Sequence, residues 1–93
     1  MYFLLFYDYV ENVIEQRAPY REAHLALVRE YVDRGELVLG GAFANPTDGA
    51  AIVFKVEEQA KIEEFVAKDP YVVNSLVTGW RVREWTVVVG TAI

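Results

Sequence analysis

The chain reads as an α+β fold of the ferredoxin-like kind: the order β-α-β-β-α-β, a four-stranded antiparallel sheet, and two helices on one face. Three observations carry that expectation. Two stretches, residues 19–34 and 57–68, have apolar residues at helical spacing. Each follows a run of β-branched, aromatic or aliphatic residues. Between them, Asn-Pro-Thr-Asp-Gly at 45–49 is a turn that joins two such runs into a hairpin.

The elements follow in order. Residues 2–7 are apolar or aromatic throughout, as a strand covered on both faces would be. Residues 8–15 are weakly patterned and read as a connection. Pro19 suits the first turn of a helix, where its missing N–H is not needed. That helix is expected to run to about Arg34, with Gly35 as its left-handed cap. Residues 36–43 form the second strand, in which Gly40-Gly41 predicts a bulge or a close approach to the backbone. Residues 50–56 form the third. In the second helix, 57–68, Ile62, Phe65 and Val66 share one side. Asp69-Pro70 ends it and opens a short helix at 71–77, since Asp caps and Pro starts a helix well. Gly79 is read as the stop, and residues 80–89 as the last strand.

An antiparallel sheet with one wet face alternates apolar and polar residues. Neither the first strand nor Thr86-Val87-Val88-Val89 does so. Both faces are therefore expected to be covered. With no third layer in the sequence, a second copy of the chain is the natural cover, and two sheets packed face to face make a dimeric α+β barrel. The alternative is a monomer with one adhesive face.

Composition sets further bounds. Residues 1–93 make one domain. Hydrophobic residues make up 54% of the chain, which is high for so small a core and again favours association. There is no cysteine, so disulfides and thiolate chemistry are excluded. One histidine and scattered carboxylates offer no metal cluster, and no cofactor is expected. A net charge of −5 argues against a nucleic-acid partner. The longest apolar run near the start, residues 1–7, falls well short of the roughly 20 residues of a membrane span. No signal-peptide pattern is evident, so the expected compartment is the cytoplasm.

On the first helix Arg17, Arg21 and His24 are spaced i, i+4, i+7 and share the side of Leu27, Val28 and Tyr31. Glu22, Arg29, Glu30 and Asp33 lie opposite. Two readings are open. In one, Arg17 and Arg21 hold an anion in a cleft while His24 moves a proton, because a guanidinium fork suits carboxylate or phosphate and imidazole titrates near neutrality. In the other, both arginines swing outward to Asp or Glu partners and His24 is a hydrogen-bonded core residue. Spacing alone favours the second. Asp69 is first of all a helix cap, but it could also orient His24 as a carboxylate does in His–Asp pairs. Tyr71 attracts interest because it follows so closely on Asp69.

Gln-Arg-Ala-Pro-Tyr-Arg-Glu-Ala-His-Leu at 16–25, Arg-Gly-Glu-Leu-Val-Leu-Gly-Gly at 34–41 and Asp-Pro-Tyr at 69–71 together resemble the YCII (YciI-like) family over nearly the whole chain. The resemblance implies the dimeric α+β-barrel fold and a cleft with a His–Asp pair at His24 and Asp69. Arg17 and Arg21 match the family's helix arginines. It also implies cofactor-free chemistry of the elimination, isomerase or lyase type, dehydrochlorinases included, on a small anionic or phenolic substrate, with Tyr71 near it. The rival function is a non-catalytic module that binds a small anion. The family often has Gly-Pro after the second strand, where this chain has Gly41-Ala42.

Overall fold

In the computed structural model, residues 1–91 are described. They form β1 (Tyr2–Tyr9), α1 (Val13–Gln16), a 3-10 turn (Ala18–Tyr20), α2 (Arg21–Asp33), β2 (Leu37–Ala42), β3 (Gly49–Lys55), α3 (Ala60–Lys68), α4 (Pro70–Val73) and β4 (Val77–Trp85). The four strands lie in the order β2-β3-β1-β4, and every neighbouring pair is antiparallel. This is the ferredoxin-like α+β fold expected from the order of segments.

The core follows from β1. Phe3, Leu5 and Tyr7 alternate inward and are buried, while Tyr2, Leu4 and Phe6 are half-buried on the other face. The inward set pairs with Phe54, Ile52 and Ala50 of β3. Ile62, Phe65 and Val66 of α3 and Tyr31 of α2 close over them. The rings of Tyr31 and Phe54 each meet Phe65 edge-on, with centroids 5.2 and 5.3 Å away. Burying a side chain of this size contributes about 1.5–3 kcal/mol.

The boundaries differ from expectation in several places. Residues 13–16 are not simple connection: Asn12, in the left-handed region, turns the chain into α1. The main helix starts at Arg21, so Arg17 lies outside it, between α1 and the 3-10 turn that holds Pro19. At the far end α4 stops at Val73, and β4 starts at Val77 rather than residue 80. Gly79 is not a helix stop but sits within β4 opposite Asp8, because pairing with β1 begins at Tyr9 and Val77. The same pairing ends at Trp85, so Thr86-Val87-Val88-Val89 lies beyond the strand, with Val88 and Val89 exposed. The bulge in β2 falls between Leu37 and Leu39, ahead of the glycine pair.

The sheet face away from the helices is set by the same register. Leu4 pairs with Val53 and Arg83, Phe6 with Ala51 and Arg81, and Leu39 with Val53. Directly opposed residues share a face, so this one is apolar at its centre. The Arg81 guanidinium lies 4.5 Å from the Phe6 ring centre. Among the described residues no helix is long and apolar enough to cross a membrane.

Candidate functional site

Asp69 is placed by Pro70. A residue before proline is pushed out of the helical region, and Asp69 is extended at ψ 119°, between α3 and α4. From there its side chain turns back to cap α4: Oδ1 accepts from the Tyr71 backbone N–H at 3.0 Å. The same oxygen lies 2.7 Å from His24 Nδ1. Oδ2 accepts from the Tyr7 hydroxyl, also at 2.7 Å. Asp69 is fully buried at 0% exposure, and three donors around it are what keeps a buried carboxylate tolerable. With Asp69 as acceptor, Nδ1 carries the imidazole proton.

His24 comes from the first turns of α2, and only 12% of its side chain is exposed. Its ring lies parallel to that of Tyr71, with centroids 3.8 Å apart and planes 6° apart. The ring is thus fixed at one edge by Asp69 and on one face by Tyr71. Nε2 is left without a hydrogen-bond partner among the described residues.

Beside it is a cleft of about 230 Å³. Its polar end is formed by Tyr9, Arg17, Arg21, His24 and Tyr71, and its other end by Leu25, Val28 and Ile52, over a floor that includes Gly40 and Gly41. A side chain at Gly40 would meet Ile52 at 3.2 Å, so the bare backbone keeps this floor low. Neither Arg17 nor Arg21 makes an ion pair among the described residues, although Arg34 makes three.

The tyrosines are held protonated. Burial, followed by the charge of Asp69 and the bond to it, pushes the Tyr7 hydroxyl far above its usual range, so it acts as a donor. Burial, with Tyr71 and Asp69 adding to it, pushes Tyr9 up to about 12 against the pull of Arg17 and Arg21. Burial likewise raises Tyr71, again opposed by Arg17 and Arg21. Both guanidinium groups therefore act on the hydroxyls at the polar end. Among the described residues no three His, Asp or Glu side chains gather as a metal set.

All five residues singled out from the sequence meet here: His24 and Asp69 in contact, Tyr71 stacked on the imidazole, Arg17 and Arg21 at the cleft. Arg17 arrives from the segment before α2, because Pro19 interrupts the helix that was expected to carry both arginines. Two residues had gone unnoticed, Tyr7 and Tyr9. The signal was their position. They continue the inward alternation of Phe3 and Leu5, and a tyrosine hydroxyl brought inside needs a partner.

A family model for the YCII-related domain matches residues 1–86. An uncharacterised protein of Haemophilus influenzae is 27% identical over 81 residues, a match covering 77% of this chain and 83% of that protein. The 5-chloro-2-hydroxyhydroquinone dehydrochlorinase of Burkholderia phenoliruptrix, solved in complex with 2,5-dihydroxybenzoquinone, superposes with a TM-score of 0.80. That match covers 92% of this chain and 94% of the other at 20% identity, a likeness of fold. With its family model matched over nearly its full length, the chain belongs to the YCII-related domain family.

Proposed function

We propose that the cleft performs proton transfer on a small anionic or phenolic substrate, in an elimination, isomerisation or lyase-type reaction. The observation that carries this is a histidine fixed on two sides next to two arginines, with Nε2 unpartnered and neither arginine ion-paired among the described residues. In this reading His24 Nε2 takes a proton from a hydroxyl or an acidified C–H of the substrate. Asp69 steadies the imidazolium that forms, and the protonated Nε2 then gives the proton to another atom of the substrate or to a leaving group. Arg17 and Arg21 hold the anion, with Tyr71 beside it. Their bidentate forks favour a carboxylate or adjacent oxygens. Leu25, Val28 and Ile52 receive an apolar body. The bound quinone of the structural neighbour supports a ligand of that size and shape, as an analogy of fold.

The working unit in this reading is a homodimer in the cytoplasm, formed by the apolar sheet face. The experiment is a thermal-shift screen of small carboxylates and phenols, followed by product analysis of the hits. A ligand that binds only the native state raises its stability. Turnover of a hit by the wild type, lost in His24→Ala, supports the proposal. A hit recovered unchanged points instead to a module that binds a small anion without chemistry. Normal turnover in His24→Ala would sink the mechanism.

A further inference from the structure

Tyr7 has no part in the proton transfer just described, yet it makes one of the two side-chain bonds to Asp69. It stands on β1, 62 residues away in sequence, and reaches the junction of α3 and α4 across the core. Tyr7 is 1% exposed and Asp69 0%, so water does not compete for the bond. Its backbone is paired on both sides, to Ala50 and Trp80, which fixes where the hydroxyl points.

We infer that Tyr7 is a positioning residue for the His24–Asp69 pair: by donating to Asp69 Oδ2 it reserves Oδ1 for His24, and by spreading the carboxylate charge it sets the pH at which the pair takes up a proton. This rests on the proposed role of His24. The physical basis is general. A hydrogen bond to the ionised form of an acid favours that form, and removing it raises proton affinity. The two groups share Oδ1 as one bonded unit, so the proton is taken up by the pair rather than by either residue alone. Burial and the neighbouring Asp69 charge keep Tyr7 protonated, so the bond runs in one direction throughout. The other charged or titratable groups facing the pair are Tyr9 from β1, Tyr71 from α4, Arg17 from the segment before α2 and Arg21 from the start of α2. All of them remain in a Tyr7→Phe protein, so a change there belongs to the lost hydroxyl.

The chain has a single histidine, so an imidazole NMR titration reports on His24 without assignment by mutation. The measurement is made on the wild type, Tyr7→Phe, Asp69→Asn and the double variant. Tyr7→Phe should move the midpoint upward by roughly one pH unit. The same substitution should do nothing in the Asp69→Asn background. An unmoved midpoint in Tyr7→Phe overturns the inference, and so does an equal shift with and without the Asp69 carboxylate. If a variant fails to fold, the wild type decides. A sheltered Tyr7 hydroxyl proton whose resonance moves as His24 titrates supports the coupling, and one that stays fixed overturns it. No turnover enters the readout, so a catalytically inert protein would sink the proton-transfer reading and leave this one standing.

Discussion

The imidazole of His24 and the phenol ring of Tyr71 lie face to face, 3.8 Å apart and nearly parallel at 6°. Asp69 makes this possible. Its backbone turns the chain so that Pro70 begins α4 with Tyr71 in its first turn, and its Oδ1 caps that helix while meeting His24 Nδ1. One carboxylate thus aligns both rings. Among the described residues the Tyr71 hydroxyl is buried without a hydrogen-bond partner in good geometry, although the Arg21 guanidinium lies close enough to act on it. Removing an unpaired buried hydroxyl relieves a desolvation cost. Tyr71→Phe should therefore keep the stack and leave stability unchanged or raise it by up to about 1 kcal/mol in urea unfolding. A loss of stability would mean that the hydroxyl has a partner in solution.

Arg17 and Arg21 separate stability from binding. Neither is in an ion pair among the described residues, and Arg21 is exposed. Substituting either by methionine should change unfolding stability by no more than about 0.5 kcal/mol. Binding of a small carboxylate or phenolate found by screening should weaken about tenfold or more, the usual worth of a hydrogen bond to a charged group. Calorimetric titration against the wild type is the check. Unchanged affinity in both variants would remove the arginines from the ligand site.

How much of this could be seen in advance depended on whether local signals or pairing decided the outcome. Pro19, Gly35 and Asp69-Pro70 act within a few residues, and the helices they bound were expected close to where they are. The start of β4 was misjudged because Gly79 looks like a helix stop. Pairing of Tyr9 with Val77 outweighs that local preference and carries Gly79 into the strand. At the site, helical spacing put His24 and Arg21 on one side but left an ordinary core reading ahead, the capping turn accounted for Asp69 as a cap, and only the family resemblance joined His24 and Asp69 as a pair. Tyr7 escaped because an inward tyrosine on a strand gives no hint of which distant group its hydroxyl will meet; only the packing of α3 and α4 over β1 supplies Asp69. A carboxylate has two oxygens, which would let the cap and the histidine contact use one each. They share Oδ1, because Oδ2 is taken by Tyr7.

Gly49 should be the least replaceable glycine. A Cβ there would collide with the backbone carbonyl oxygen of Tyr7, and the Phe43 ring closes the other side at 3.3 Å. The Tyr7 carbonyl belongs to the β1–β3 ladder, opposite Ala50, and cannot retreat without breaking pairing. Gly49→Ala should cost about 2 kcal/mol or more, as overpacking against fixed backbone does. Gly41→Ala, where no atom lies within 4 Å, is the control and should be nearly neutral. Urea midpoints of the two variants side by side make the test, and equal values would contradict the register of β1 and β3.

The tyrosines predict an alkaline limit. Burial first, then neighbouring groups, pushes Tyr9 and Tyr31 up to about 12 from 10.0. A group whose folded pKa is raised contributes stability that is fully present below its unfolded pKa and is lost as pH rises through the folded one. The urea midpoint should therefore be flat below about pH 10 with respect to these groups and fall between about 10 and 12. Tyr9→Phe should make the fall shallower, because one such group is gone. An identical slope in that variant would mean that Tyr9 titrates freely in the native state.

The proposed dimer rests on β1 and its neighbours. Val88 and Val89 lie beyond β4 and are exposed, so they no longer argue for a covered sheet. What remains is the face on which Leu4, Phe6, Val53 and Leu39 lie together, with Arg81 and Arg83 along one side. A two-fold axis through this face would place each apolar patch on its own copy, as an isologous contact requires. Leu4→Lys puts a charge at the centre of that contact while sparing the buried side of β1. The wild type should elute at twice the mass of one chain at micromolar concentration, and Leu4→Lys as a folded single chain by circular dichroism. Single-chain elution of the wild type would end the proposal, because the face would then be exposed in the native protein and the site would be complete within one copy.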